Sequence, residues 1–238
     1  MKKKIMASLL VGGAVVGASL APLSAQAVTT GNTPVQVEFE GGTLSDHEDN
    51  TSGTVNPDPT KPNTDFDLLA IPKSFDFPLA KINDDLSAIK ANSANSITYR
   101  ALMVGDVRGT KEGWHVTGEL MKMNNGTDEL AGDINFELQG YYARYITDLT
   151  QKPYYGLASA LDGVSIANNP TAPDFSGTSL KIGGGAAVLM NATVGKGQGT
   201  WAGRFGDMTL NVTTPMQELK KGAYTGNITW NLVAGPSI

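Results

Sequence analysis

The chain has 238 residues, with 18 Lys and Arg against 23 Asp and Glu, and no cysteine. An acidic chain lacks the clustered cations that phosphate binding needs, which excludes nucleic acid and an anionic membrane surface as natural partners. Without cysteine there is neither a disulfide staple nor a lipid-modified N-terminal Cys, so a secreted form of the chain would stand on packing alone.

Residues 1–27 follow the three-part plan of a secretory signal peptide. Lys2, Lys3 and Lys4 come first, an apolar run over 5–20 follows, and Ala25-Gln26-Ala27 supplies an A-x-A cleavage site. The run falls short of the roughly 20 residues of a bilayer span. Cleavage predicts a mature N-terminus at Val28 and lowers the basic count from 18 to 15 against 23 acids, a net charge of −8 instead of −5. The 211 residues from Val28 onward can bury one core, so one domain is expected. The end, "WNLVAGPSI", has no second apolar segment and no basic tail, and no sortase-type Leu-Pro-x-Thr-Gly stretch occurs. A secreted chain without these tethers either diffuses away or is retained noncovalently.

Residues 28–45 contain "VQVEFEGGTL", where Val35, Val37 and Phe39 alternate with Gln36, Glu38 and Glu40, the pattern of a short half-buried strand joining the domain. Residues 46–67 are acidic, rich in Pro, Asn, Ser and Thr and almost free of large apolar side chains, which predicts a flexible segment. Its acids do not have the spacing of an EF-hand loop. From residue 68 to 238, Gly, Asn, Asp and Pro punctuate short alternating runs about every ten residues. Ile97, Tyr99, Ala101 and Met103 form one such row. Trp114, Val116, Gly118 and Leu120 form another, and Ile134, Phe136 and Leu138 a third. "SLKIGGGAAVLMNATV" and "DMTLNVTT" continue the habit. The expected fold is all-β, a two-sheet β-sandwich with at most one or two short helices. Residues 78–92 are ambiguous: Leu79, Ile82, Leu86 and Ile89 recur at helical spacing, and the stretch reads equally as a strand plus a loop. "PMQELKKGAY" fits a single turn.

Catalytic groups are scarce, and no enzyme is expected. His47 lies in the acidic segment and His115 on the polar side of the Trp114 strand, a weak pair for a metal. No Gly-x-Ser-x-Gly elbow supports a serine hydrolase. Glu112, Glu119, Asp128 and Asp133 fall near strand ends, where solvated acids are the ordinary case. "KIGGGAAV" lacks the Lys-Ser/Thr of a phosphate loop. No cofactor and no metal are called for. The aromatic residues are more telling. Tyr141, Tyr142, Tyr145, Tyr154 and Tyr155 cluster, Trp201 follows, and Trp230 shares a strand face with Ile228 and Leu232. A fully buried tryptophan removes about 150–250 Å² from water, worth roughly 4–6 kcal/mol as an upper figure. An exposed one in such a row would mark a binding face. Alternation does not separate the two.

"YTGNITWNLVAGP" fills every specified place of the distal signature of the WxL domain, with Tyr224, Ile228, Thr229, Trp230, Leu232 and Pro236. "VGDVRGTKEGWHV" resembles the family's proximal stretch, with the departure that Trp114-His115-Val116 carries Val where the family has Leu. "ATVGKGQGTWAGRFGDMTLNV" and "VEFEGGTL" are also similar, so the likeness covers nearly the whole mature chain. The resemblance implies a secreted, extracellular protein of a Gram-positive bacterium, held noncovalently on the cell wall by binding peptidoglycan. Other surface proteins of the same gene cluster are its implied companions. The implied binding residues are Trp114, Val116, Tyr224, Ile228, Thr229, Trp230, Leu232 and Pro236. The alternative is a protein-interaction module that docks a partner surface protein, with wall binding indirect.

Overall fold

A computed structural model describes residues 33–47, 53–92, 99–148 and 151–237. The candidate signal peptide and the Val28 terminus lie outside these residues. Contacts divide the chain into two compact units, residues 1–38 and 39–238. In the first, the described residues 33–38 form no strand, and Val35 and Val37 are 92% and 70% exposed. The second holds every strand among the described residues.

The strands are β1 (Thr54–Val55), β2 (Phe66–Pro72), β3 (Ile89–Lys90), β4 (Ala101–Asp106), β5 (Trp114–Leu120), β6 (Gly132–Asp148), β7 (Gln151–Ala158), β8 (Ala160–Leu161), β9 (Val164–Ser165), β10 (Asp174–Phe175), β11 (Ser179–Lys181), β12 (Ala187–Ala192), β13 (Gly199–Val212) and β14 (Ile228–Ala234). The larger sheet has eight strands, with β1-β2-β4-β13-β6-β11 as its main path and β3 and β7 added to β13 and β6. The smaller has four, in the order β10-β12-β5-β14, and β8-β9 is a short ribbon. All pairings are antiparallel. The molecule is all-β, and its only helical element among the described residues is a single 3-10 turn at Ile166–Asn168.

Alternation places the core between the two sheets. β5 buries Trp114, Val116, Gly118 and Leu120 and turns His115, Thr117 and Glu119 outward. Leu189 and Met190 of β12 join these residues from the same sheet. From the large sheet, Leu102 and Val104 of β4, Ile134, Phe136 and Leu138 of β6, and Trp201, Phe205 and Leu210 of β13 meet them. β4 is buried at all six positions. Its other face, Ala101 and Met103, belongs to a second cluster with Leu44, Leu69, Ala143, Tyr155 and Ala202 on the far side of the large sheet.

That second cluster is covered by the residues around Leu44, which pack without forming the strand expected there. Residues 39–47 contain no strand, and Phe39 is 87% exposed, yet Leu44 is buried against Gly105. Residues 35–40 alternate in sequence but form no strand, and an unpaired strand has no stability of its own. Residues 53–67 are ordered around β1 and the start of β2, with Thr54 and Asn56 buried alongside His47. Polar groups are buried here because they are bonded. Asn56 Nδ2 donates to the His47 carbonyl at 3.2 Å, Asn63 Nδ2 to the Ser45 carbonyl at 2.7 Å, and the Leu44 amide to the Thr64 carbonyl at 2.9 Å. Residues 78–92 are a loop ending in β3. A turn closes there, with the Asp84 amide bonded to the Lys81 carbonyl at 3.0 Å and the Asp84 carboxylate accepting from the Lys81 amide at 2.9 Å, and Leu79 is fully exposed. A single turn forms over 215–219, with Glu218 N bonded to the Pro215 carbonyl at 2.8 Å.

Candidate functional site

The two motif strands are neighbours. β14 pairs with β5 so that Trp230 lies opposite Gly118, Leu232 opposite Val116 and Ala234 opposite Trp114. The three tryptophans nevertheless have different environments. Trp114 is fully buried and Trp201 is 2% exposed. Both indole N–H groups donate to one acceptor, the Gly197 carbonyl, at 3.0 and 2.8 Å. Gly197 has φ +81, and a Cβ there would meet Trp114 Nε1 at 2.5 Å and the Ala192 Cβ at 2.4 Å, so the turn that presents this carbonyl needs glycine. Val116 is also fully buried, so the departure from Leu at this place is a packing matter in a closed core.

Trp230 is half-buried and sits at the edge of the smaller sheet. Gly118 leaves room beside it, since a Cβ on that residue would stand 3.0 Å from Trp230 Cζ3. The indole meets Phe75 at 6.3 Å and Phe205 at 5.9 Å between centroids, and Phe205 continues to Phe136 at 4.9 Å. Phe75 and Trp230, backed by these buried rings, line a groove of about 1100 Å³ together with Phe77. Its floor is apolar, with Leu120, Met123, Leu130, Ile134, Leu210 and Val212. Lys73, Lys81, Lys220 and Lys221 stand at its rim with Asp76, so a chain of net negative charge has a locally positive groove.

Specific contacts set the two lips. Arg100, almost buried, donates from Nε to the Ser74 carbonyl at 2.8 Å and from Nη1 to the Asn92 carbonyl at 3.2 Å, and its Nη2 lies 3.9 Å from the Asp76 carboxylate. These bonds hold Phe75 over Trp230. On the other lip, Thr225 and Asn124 exchange backbone bonds of 2.9 and 3.0 Å. The Tyr224 hydroxyl donates to the Lys220 carbonyl at 3.3 Å and accepts from its amide at 3.2 Å. Lys220 Nζ stands 2.7 Å from Asp128. The pair holds the Asp128 carboxyl below the usual carboxylate range and the ammonium above its ordinary value.

Of the residues singled out in the sequence, Tyr224, Ile228 and Trp230 line the groove. Trp114 and Val116 are sealed in the core. Leu232 packs half-buried against that core, Thr229 points outward with Asn231, and Pro236 is half-buried after the strand. Sequence reasoning missed Phe75, Phe77, Arg100 and the rim lysines. "KSFDFP" carries a signal in its two phenylalanines, but their meeting with Trp230 depends on contacts across more than 150 residues. The acids considered for catalysis are otherwise engaged. Glu112 binds Arg108, Asp128 binds Lys220, and Asp133 accepts from Asn211 at 3.1 Å and from Asn135. Glu119 sits half-buried on the outer face of β5. Among the described residues, no group of three or more His, Cys, Asp and Glu is placed to hold a metal. No helix among them is long and apolar enough to cross a membrane.

The Asp106-Val107-Arg108-Gly109 stretch has a structural role. Asp106, 2% exposed, accepts two bonds of 2.9 Å from Arg108, which also donates to Glu112 and, at 3.3 Å, to the Gly113 carbonyl. The guanidinium lies 3.7 Å over the Phe66 ring. The Asp106 carboxylate raises the Arg108 pKa further above its ordinary value, so this cation is permanent. It ties the ends of β2, β4 and β5 together.

Neither a search of curated proteins nor one of solved structures returns a match. A family model described as WxL domain, surface cell wall-binding, matches residues 26–236. With nearly the whole chain matched and both motif strands paired side by side, the protein belongs to the WxL domain family of surface, cell wall-binding proteins.

Proposed function

We propose that the protein is secreted and held noncovalently on the cell wall by binding peptidoglycan in the Trp230 groove, without catalysing a reaction. The observation that carries this reading is the contrast between the indoles. Trp114 and Trp201 are sealed around one carbonyl, whereas Trp230 stands half-exposed on a groove rimmed by four lysines. Flat rings suit the apolar face of a sugar and the methyl groups of a stem peptide, and ammonium groups suit stem-peptide carboxylates. The family's description supports the wall as the partner. Sedimentation with purified wall stripped of protein tests the proposal. Truncating a central aromatic contact typically costs 2 kcal/mol or more, about 30-fold in affinity. Trp230→Ala, shown to be folded by circular dichroism, is therefore expected to leave the pellet, while the parent chain stays in it. Equal recovery of the parent with and without wall rejects the reading.

A second reading is favoured by the depth of the groove's apolar floor, which suits a protein segment better than a glycan. In that case a partner surface protein docks there and wall binding is indirect. Binding that depends on an added partner identifies it.

A further inference from the structure

β14 ends the smaller sheet, so among the described residues one of its long sides is unpaired. Natural sheets shield such an edge with lysine, proline, a bulge or brevity. "ITWNLVA" has no charge and no proline, and its pairing with β5 runs without a register shift over seven residues. The strands that end the other paths, β1, β10 and β11, are only two or three residues long, and β7, which pairs with β6 alone, carries Lys152 and Pro153. The Gly235 amide bonds to the Gly113 carbonyl at 3.0 Å, which fixes the phase of the ladder. By alternation, Ile228, Trp230, Leu232 and Ala234 then direct their N–H and C=O groups away from β5, toward the open side. The inward side chains of the same strand, Ile228, Trp230 and Leu232, are half-buried, while their neighbours on β5 are sealed. Both the main-chain bonds and the core are thus incomplete along one line.

The chain contains one segment that complements this line. Val35, Val37 and Phe39 alternate with Gln36, Glu38 and Glu40, and the three apolar side chains are 92%, 70% and 87% exposed. Laid beside β14 as an added strand, they would extend the inner row of Ile228, Trp230 and Leu232 at the same spacing of two residues. The glutamates would face solvent on the outer side. We propose that the free edge of β14 receives the segment around residues 35–40 of a second copy of this chain, so that neighbouring molecules are joined by strand addition. The contact is heterologous, with an edge on one copy and a segment on the next. It closes when two copies exchange segments and otherwise propagates as a row. The pairing uses main-chain groups, and its apolar row would lie against Ile228 and Trp230, which also line the groove, so the two bindings compete and are told apart by a linked species that forms in the absence of wall.

The absence of cysteine makes the test direct. Two full secreted chains are mixed and oxidised, one carrying Glu38→Cys and the other Thr229→Cys, Asn231→Cys or Val233→Cys in turn. All four positions are exposed, so the fold is not challenged. Neighbouring strands bring Cα atoms within disulfide range. A linked species of double mass is expected at one or two of the three positions. Adding Val37→Asp and Phe39→Asp to the first chain should lower its yield about tenfold, the effect of roughly 1.4 kcal/mol. No link at any position overturns the proposal. So does a link that survives the aspartates, or one that forms only within a single chain bearing both cysteines.

Discussion

Gly197→Ala is the sharpest probe of the tryptophan arrangement. The new Cβ would enter a left-handed backbone at φ +81, 2.5 Å from Trp114 Nε1 and 2.4 Å from the Ala192 Cβ. The backbone conformation alone costs an L-residue about 1–2 kcal/mol. Relieving the clash moves the carbonyl that both indoles use, and two buried bonds at about 1 kcal/mol each are then lost or bent. The sum is about 3–4 kcal/mol, a large part of the 5–15 kcal/mol by which a domain is typically stable. Gly195 is the matched control, with φ +89 and nothing within 4 Å of its would-be Cβ, so Gly195→Ala should cost only the conformational part. Urea unfolding followed by tryptophan fluorescence measures both. Gly197→Ala should lower the midpoint at least twice as far as Gly195→Ala. Equal midpoints for the two variants would refute the shared-acceptor argument.

Arg108→Ala leaves the nearly buried Asp106 carboxylate without its cation and should destabilise the fold by about 3–5 kcal/mol, read in the same unfolding experiment. Burial pushes the Tyr155 hydroxyl up to about 12 while it donates to the Ser45 carbonyl at 3.2 Å. The folded state therefore favours the neutral phenol. Its contribution is complete below about pH 10, the ordinary tyrosine value, and fades as pH rises toward 12. Melting temperature should fall across that window in the parent and less steeply in Tyr155→Phe.

Much of the architecture was legible because alternation survives wherever a strand has one wet face. "WHVTGEL" shows the core and solvent sides of β5 directly, and Ile134, Phe136 and Leu138 do the same for β6. For β4 the row of Ala101 and Met103 marked a strand but not its surroundings, because both its faces are covered. Residues 78–92 read equally as a helix or as a strand plus a loop, and the structure has the second, because periodicity says nothing of what closes a turn. The acidic stretch around residues 53–67 looked unable to pack because composition counts apolar area and not bonds, and His47, Thr54 and Asn56 are buried by bonds. At the site, the signature residues were visible but their division of labour was not. Trp114 and Trp230 look alike in the chain. Only the sheet order makes one interior and the other an edge.

The small cluster on the far side of the large sheet has a directional consequence. Leu44, Tyr155 and their neighbours already occupy that face, and the tyrosine hydroxyls of 145 and 155 are spent on the carbonyls of Asp46 and Ser45. The sandwich therefore has a finished back and an unfinished front. A ligand held in the Trp230 groove, as proposed, would approach from the β14 side, so an anchored population would share one orientation toward its support.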